Sequence, residues 1–525
     1  MKRRTVLAAA ATSLVFPSIG RAASATTLRF VPAADVPSLD PVWTTASQTR
    51  DHAMLIYDTL YGFDDALVAR PQMVAGHVTS EDGLRWTLSL RDGLTFHDGE
   101  RVLATDCVAS IRRWGARDSF GQALLAATDE LSAPDDKTIL FRLKYPFPQL
   151  PAALAKYSSP CVIMPARLIS GSTFAQVTDP TGSGPYRFLP DQRVAGSRLG
   201  YARFDGYVPR NDGVAQGTAG PKIAHFDRIE WAIMPDGATA SAALQNGEVD
   251  WLRWPLVDLL PLLRRAPGVK VAVIEPTGLI GKFRFNHLQA PFNNRLVRQA
   301  VLPALSQVDY MTAAQGDDTS LWRDKIGFFT PGTPMASDIG MEALTGQRDM
   351  ALARKRLKES GYAGERTVVM LPGDFPIYRA MAEITAQLLK DIGFNVDLQS
   401  VDWATAMQRR AKPDPVEKGG WSVFHTGWGG DQELTPVTNI WLRGNGADAA
   451  PGWPTSPIIE QLRDRWLREQ NSAAQAQICA EIQKQAFEDL PYIPTGQLFA
   501  PVAHRADLVG MIKGLPAFWN IKRSV

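Results

Sequence analysis

The chain has 525 residues, 45% of them hydrophobic and 21% charged, with a formal net charge of +2. This length corresponds to roughly two to four compact units of about 150 residues, and the composition excludes collagen, coiled-coil and small disulfide-scaffold proteins. Without its first 25 residues the chain has 52 basic against 54 acidic residues. Because no basic excess remains to neutralise phosphates, no nucleic-acid partner is predicted.

The first 25 residues have the features of an export signal. Basic Lys2–Arg4 precede an apolar run at 5–19, and Ala23–Ala25 resemble a cleavage site. The apolar run is broken by Pro17 and is shorter than the roughly 20 residues of a membrane-spanning helix. Its paired arginines indicate twin-arginine export, while an ordinary secretory signal explains the segment equally well. Both alternatives predict cleavage near residue 25 and a mature protein outside the cytoplasm.

The rest of the chain alternates short strand patterns with amphipathic helix patterns, which predicts a mixed α/β protein. The predicted strands are 28–32, 84–90, 137–143, 229–234, 367–371 and 394–398, and the predicted helices are 51–61, 105–111, 239–244, 295–305, 349–358 and 380–391. Polar loops rich in glycine and proline are predicted at 203–222 and 409–420. No internal repeat of fixed period occurs, which excludes solenoids and propellers.

The sequence lacks the motifs of the common nucleophilic, zinc-dependent and phosphate-binding enzymes. Its seven histidines include no pair at i,i+3 or i,i+4, so neither a cofactor nor a protein-only metal site is predicted. A metal chelate bound with the help of a single histidine is still an alternative. The three cysteines, Cys107, Cys161 and Cys479, are far apart and odd in number, which allows at most one disulfide. Cys107 lies in an apolar-periodic stretch and is predicted to be buried.

A carboxylate among loop aromatics is the main binding signal. The segment Trp428–Asp431 places an indole beside a carboxylate on a glycine-rich turn. A partly buried carboxylate needs a cationic partner, and a ligand ammonium provides one, with cation–π attraction from nearby indoles. On these residues alone, however, an aspartate that caps a turn or pairs with an arginine is the simpler interpretation, as is a core position for each tryptophan.

Seven segments of the mature chain resemble, in order, one known family. They are Pro37–Pro41, Ile56–Leu60, Leu90–Gly99, Ala104–Asp106, Gly182–Tyr186, Leu244–Asp250 and Phe285–Ala300. The chain is thus similar to the extracytoplasmic solute-binding proteins of peptide-type ABC importers, solute-binding family 5. The resemblance implies a monomeric binding component without enzymatic activity. It captures a peptide or peptide-like, amine-bearing solute and delivers it to an inner-membrane ABC permease.

The family fold that the resemblance implies has two α/β lobes, a hinge and a ligand cleft between the lobes, with an extra domain inserted in the first lobe. On this chain the first lobe is expected at 26–62, 182–275 and 496–525, the inserted domain at 63–181 and the second lobe at 276–495. The candidate hinge segments are Gly278–Phe285 and Pro491–Gly496. Both segments are equally consistent with ordinary connections between domains.

In peptide-binding members of the family, the aspartate of a G-W-x-x-D element holds the ligand's N-terminal ammonium. Gly427–Asp431 matches that element residue for residue. The resemblance therefore favours Asp431 as the ammonium anchor over the simpler interpretation above. The other candidate ligand-binding residues are Trp428 as a neighbouring wall, Gly430 in the same turn, and Trp403 and Trp421 as pocket-side aromatics.

The chain departs from the dipeptide-specific members at Gly373–Pro376. Those members carry an arginine there that receives the ligand carboxylate, whereas this chain has Asp374 and no arginine. The missing arginine argues against free dipeptides as ligands. The additional acidic residue, Asp374, favours a ligand with a second cationic group. Arg379 and Arg443 are candidate substitutes, although a solvated surface position explains each of them more simply.

Other functions stay open at this point. The ligand class varies within such folds, so a metal chelate, a sugar or an opine-like conjugate is an alternative to a peptide. A binding protein that serves a chemoreceptor has the same sequence features. An extracytoplasmic peptide hydrolase is a remote alternative, since no nucleophile–base motif is present. No cysteine follows the signal region, so a freely diffusing periplasmic protein is expected rather than a lipid-anchored one.

Overall fold

The computed structural model describes residues 26–524. The predicted signal segment 1–25, with its cleavage site, lies outside the described residues. The described part of the chain forms two large mixed sheets, a smaller antiparallel sheet and two short hairpin-like pairs, with helices packed on them. No helix in this part combines the length and apolar character needed to cross a membrane.

The first large sheet has seven strands. Their spatial order is Val269–Ala272, Val502–Arg505, Trp251–Leu252, Thr27–Val31, Arg228–Ala232, Arg198–Arg203 and Tyr186–Phe188. The strand Thr27–Val31 runs parallel to both of its neighbours, and the other pairings are antiparallel. Phe30 on this strand packs its ring against Trp231, Trp251 and Phe518 at centroid distances of 5.2, 5.0 and 5.0 Å. These aromatic contacts form the centre of the first core.

The second large sheet has six strands. Their spatial order is Trp322–Arg323, Tyr492–Leu498, Leu279–Phe285, Val423–Gly429, Arg366–Pro372 and Asn395–Val401. The strand Arg366–Pro372 is buried from its second residue onward, as expected for a strand covered on both faces. The helix Pro376–Ile392 follows it and contributes Met381 and Leu389 to the core.

The smaller sheet has four antiparallel strands, in the order Val74–Thr79, Arg85–Leu90, Thr138–Leu143 and Thr128–Ser132. Helices Ala104–Gly115, Ser119–Ala127 and Leu150–Ala155 belong to the same part of the chain. A buried ion pair joins this part to the loop before the first helix, because Arg113 Nη2 lies 2.6 Å from Asp40 Oδ2.

The remaining helices are Ser47–Ile56, Gly237–Gln245, Leu260–Arg265, Arg295–Val301, Gln307–Gln315, Glu342–Thr345, Met350–Glu359, Trp403–Arg410, Pro457–Arg468 and Ser472–Asp489. The two short pairs are Tyr61–Phe63 with Ala69–Pro71 and Leu508–Val509 with Lys522–Arg523. All six predicted strands are confirmed to within three residues at each end. The three cysteines are free and buried, which confirms the buried position predicted for Cys107.

One helix prediction is wrong at both ends. The helix predicted at 51–61 lies at Ser47–Ile56, and Tyr57 is already extended, with φ −123° and ψ 157°. Asp58 turns inward to a buried ion pair with Lys222, 164 residues away in the chain. Residues 57–61 have helical apolar spacing, but this distant partner fixes an extended backbone, so tertiary structure overrides the local pattern.

The chain passes between the two large sheets twice. Residues 273–278 connect Val269–Ala272 to Leu279–Phe285, and residues 499–501 connect Tyr492–Leu498 to Val502–Arg505. Most of each segment predicted as a hinge, 279–285 and 492–496, lies in paired strands of the second sheet. The crossings between the sheets are next to these segments in the chain. The domain boundaries stay a prediction.

Candidate functional site

A cavity of about 340 Å³ lies between the two large sheets. Its wall is formed by residues within 41–50, 158–160, 253–254, 275–279, 427–432 and 498–500, together with Gln315 and Ile377. Both crossing segments, strands of the six-stranded sheet, the residues that follow the strand Trp251–Leu252 of the seven-stranded sheet, and the part of the chain with the smaller sheet therefore contribute to it. The volume is at the low end of the range of about 300–1,000 Å³ found for small-molecule sites.

The turn after the strand Val423–Gly429 positions Asp431 in this cavity. The Gly430 amide donates a hydrogen bond to the Gly278 carbonyl at 2.8 Å, and the Gly430 carbonyl accepts one from Thr330 Oγ1 at 2.6 Å. A Cβ atom at Gly430 would collide with the backbone carbonyl of Thr277. Glycine is thus required here by the close approach of the turn to a crossing segment.

Asp431 is 8% exposed and lines the cavity wall. Its Oδ2 atom has no hydrogen-bond partner among the described residues, and the nearby Ser158 side chain acts to lower the pKa of the carboxyl group. Burial raises the pKa of Asp431, and the nearby charges of Arg50 and Lys156 oppose that rise. A buried carboxylate oxygen that faces a cavity is suited to a cationic ligand group, because such a group offsets the cost of desolvation.

A second carboxylate, that of Glu275, lines the same cavity. Burial raises the pKa of Glu275, and the negative charge of Asp431 raises it further. Thr277 Oγ1 donates a hydrogen bond to Glu275 Oε1 at 2.7 Å. Two carboxylates that interact in this way favour either a shared proton or a cation between them.

Two arginines face these carboxylates. Arg50 binds Asp51 through Nη2 and Nε, at 2.8 and 3.0 Å from the same Oδ1 atom. Arg253 is 6% exposed, its Nε lies 3.7 Å from Asp51 Oδ2, and its Nη1 has no partner among the described residues. Burial lowers the pKa of Arg253, while the charge of Asp51 opposes that effect. The cavity thus combines positive and negative groups of low exposure.

Sequence reasoning did not find Arg50, Arg253 and Glu275. They come from a helix, the end of a strand and a crossing segment, and they share no motif or spacing. The adjacent Arg50 and Asp51 in an otherwise apolar-periodic stretch were the one available signal, because charged residues are buried only when they are paired.

The structure brings Asp431, Gly430 and Trp428 together at the cavity. Trp428 lines the wall and packs edge-on against Trp441 at 5.9 Å. Trp403 stacks on the ring of Tyr378 at 4.9 Å, outside the cavity wall. Trp421 is 0% exposed and packs on Phe424 at 4.9 Å, also outside the wall. The ligand-binding roles of these residues stay predictions.

The segment that departs from the dipeptide-binding pattern has a local structural role. Asp374 Oδ1 accepts a hydrogen bond from the Trp403 amide at 2.7 Å. The two candidate arginines already have acidic partners, since Arg379 Nε lies 3.0 Å from Glu383 and Arg443 Nη2 lies 3.0 Å from Glu460. Neither arginine lines the cavity.

Metal-binding side chains do not gather anywhere in the described range. No group of three or more histidine, cysteine, aspartate or glutamate residues within 26–524 is arranged to hold a metal ion.

Two α/β units that enclose a charged cavity beside two chain crossings define a ligand-binding protein of the two-lobed periplasmic type. The sequence matches the description "Bacterial extracellular solute-binding proteins, family 5 Middle" over residues 69–450. The chain belongs to this family. It is accordingly an extracytoplasmic solute-binding protein, as the resemblance implied.

Individual proteins agree with this assignment. The chain is 36% identical over 523 residues to a probable peptide ABC transporter periplasmic-binding protein of Sinorhizobium fredii, a match that covers 98% of each chain. Among solved structures, the binding protein AgaA of A. tumefaciens R10 in complex with agropinic acid has a TM-score of 0.76 at 20% identity, over 95% of this chain and 99% of that one. A dipeptide-binding protein of Pseudoalteromonas sp. SM9913 in complex with Met-Leu also has a TM-score of 0.76 at 20% identity, over 95% and 100%.

Proposed function

We propose that this protein is the periplasmic substrate-binding component of an ABC importer for a peptide or peptide-like, amine-bearing solute. The observation that carries the proposal is the buried Asp431 carboxylate in the cavity wall, whose Oδ2 atom has no hydrogen-bond partner within the described residues. A ligand ammonium at this oxygen forms a charge-assisted hydrogen bond. The face of Trp428 adds cation–π attraction if the ammonium lies over it.

The position of the cavity supports a transport role. A ligand that contacts both Asp431 and the 253–254 segment touches residues that follow strands of the two different large sheets. Such a ligand favours the closed arrangement of the lobes, because it gains contacts there that the open arrangement lacks. The membrane permease then recognises the closed, loaded receptor, and no chemical step is needed.

The named relatives support a peptide as the ligand, and they also leave a non-peptide ligand as the main alternative. The Sinorhizobium fredii relative is called a probable peptide transporter component, and the Pseudoalteromonas structure holds Met-Leu. The AgaA structure holds agropinic acid, which favours an opine-like conjugate as the second candidate ligand for this fold.

Binding of the ammonium is expected to release protons. Burial raises the pKa values of Asp431 and Glu275 in the free protein, and the charge of Asp431 raises that of Glu275 further, whereas a bound ammonium favours their ionised forms and lowers both values. Affinity is therefore greatest above the raised pKa values and falls as the pH is lowered through them. Calorimetry in buffers of different ionisation enthalpy measures the released protons. An affinity that stays constant as the pH is lowered would contradict this model.

Native mass spectrometry of the protein purified from its own cells tests the proposal, because tightly binding receptors retain ligand. The bound solute is then released and identified. A released peptide or other amine-bearing compound supports the proposed function. A released sugar or metal chelate would retain the receptor role but overturn the assignment of Asp431 as an ammonium anchor.

A further inference from the structure

Two buried side chains of opposite charge line the cavity, and each has an atom without a hydrogen-bond partner within the described residues. These atoms are Asp431 Oδ2 and Arg253 Nη1. The residues are 8% and 6% exposed, and they form no ion pair with each other. An unpaired buried charge is costly. A ligand with a cationic group for Asp431 and an anionic group for Arg253 therefore offsets this cost at both side chains.

The protein itself leaves the Arg253 guanidinium poorly satisfied. Within residues 26–524, its single ion-pair contact is the 3.7 Å approach of Nε to Asp51 Oδ2. The other oxygen of Asp51 is occupied by Arg50 at 2.8 and 3.0 Å. The Trp254 ring flanks the guanidinium at 6.0 Å and provides no acceptor oxygen. The Nη1 side of the guanidinium therefore has no acceptor oxygen among the described residues.

We propose that Arg253 receives a carboxylate of the ligand, so that the bound solute is a peptide zwitterion with its ammonium at Asp431 and its carboxylate at Arg253. This inference rests on the proposed function and names its substrate class more narrowly. A planar guanidinium matches a carboxylate through two parallel hydrogen bonds, which makes arginine the suitable residue for this role.

The two anchors belong to different parts of the fold. Arg253 directly follows the strand Trp251–Leu252 of the seven-stranded sheet, and Asp431 follows the strand Val423–Gly429 of the six-stranded sheet. A zwitterion bound to both residues connects the two sheets through two charge pairs. A ligand that lacks either charge makes only one of these connections, so it stabilises the closed arrangement less.

The location also accounts for the missing arginine at Gly373–Pro376. The cavity has its carboxylate receptor directly after the strand Trp251–Leu252 of the seven-stranded sheet, instead of before the helix Pro376–Ile392. Arg379 and Arg443 are not needed for the role, since both are paired with glutamates elsewhere.

Three peptide mixtures test the inference on the wild-type protein. They are equimolar dipeptides and tripeptides with free termini, the same peptides amidated at the C-terminus, and the same peptides acetylated at the N-terminus. Equilibrium dialysis with mass-spectrometric identification measures which peptides are retained. Amidation and acetylation are each expected to weaken retention about 10- to 100-fold, as for the loss of one charged hydrogen-bonded contact. Amidated peptides that are retained only when they contain aspartate or glutamate would assign the side-chain carboxylate to Arg253.

The outcomes separate this inference from the proposed function. If acetylation abolishes retention and amidation does not, the role of Arg253 is wrong and the amine receptor stands. If no mixture is retained, the peptide ligand is wrong as well.

The variant Arg253→Gln assigns the effect to this residue. It is expected to weaken binding of free-terminus peptides by about the same 10- to 100-fold and to leave amidated peptides unchanged, so the acid-to-amide ratio falls to about one. Arg253→Lys keeps the charge without the fork, and an intermediate ratio is expected. As the matched control, Arg264→Gln removes an exposed arginine that pairs with Asp318 and leaves the ratio unchanged. If Arg253→Gln keeps the acid-to-amide ratio of the wild type, the proposal is overturned, whether or not Arg253→Lys keeps it as well.

Discussion

Replacement of Asp431 by asparagine is expected to weaken binding of the amine-bearing ligand by about 3–5 kcal/mol, at least about 100-fold in Kd. The amide keeps the shape of the side chain, and so it leaves the turn formed by Gly430 in place. It removes the charge that compensates the ligand ammonium inside a site of low exposure. Calorimetric titration with the solute released from the wild-type protein measures the loss.

The matched control for this change is Asp374→Asn. Asp374 hydrogen-bonds the Trp403 amide and lies outside the cavity wall, so its replacement is expected to leave the affinity unchanged. N-acetylated ligand provides a second comparison, because it lacks the ammonium. Asp431→Asn and wild type are expected to bind acetylated ligand equally weakly. If Asp431→Asn binds the free amine as tightly as the wild type, Asp431 has no role in the site.

Local sequence patterns predicted most helices and strands because the burial of their residues follows the periodicity of the sequence. The strand Arg85–Leu90 alternates exposed and buried residues along its length, and the helix Pro376–Ile392 buries a continuous face. Residues 57–61 are different, because their backbone is decided by a charge at Lys222 that lies far away in the sequence. No local window contains that information, so the helix boundary was predicted wrongly.

The residues of the candidate site also form two groups, those that the sequence identified and those that only the folded structure identifies. Asp431 and Trp428 lie within one five-residue element, and its resemblance to the family's G-W-x-x-D element made them candidates. Glu275, Arg50 and Arg253 become neighbours only when the crossing segments and both sheets are assembled. Their importance follows from burial and from unfilled hydrogen-bonding positions, and both properties belong to the folded chain.

The largest effect on stability is expected at the buried pair of Lys222 and Asp58. Both side chains are 0% exposed, and Lys222 Nζ lies 2.7 Å from Asp58 Oδ1 and 4.8 Å from the centre of the Trp519 ring. Tyr207 donates a further hydrogen bond to Asp58 Oδ2 at 2.8 Å. Lys222→Met leaves the carboxylate buried without its cation, which is expected to lower the free energy of unfolding by about 3–5 kcal/mol.

Urea denaturation of three further variants identifies the cause of that loss. Lys355→Met removes a lysine whose pair with Glu359 is 71% and 62% exposed, and its expected cost is below about 0.5 kcal/mol. Asp58→Asn in the Lys222→Met background removes the stranded charge, so part of the lost stability is expected to return. Asp58→Asn alone completes the cycle and measures the coupling between the two residues. If Lys222→Met is no more destabilising than Lys355→Met, the pair does not fix the extended backbone at 57–61. The boundary of the first helix would then require another cause.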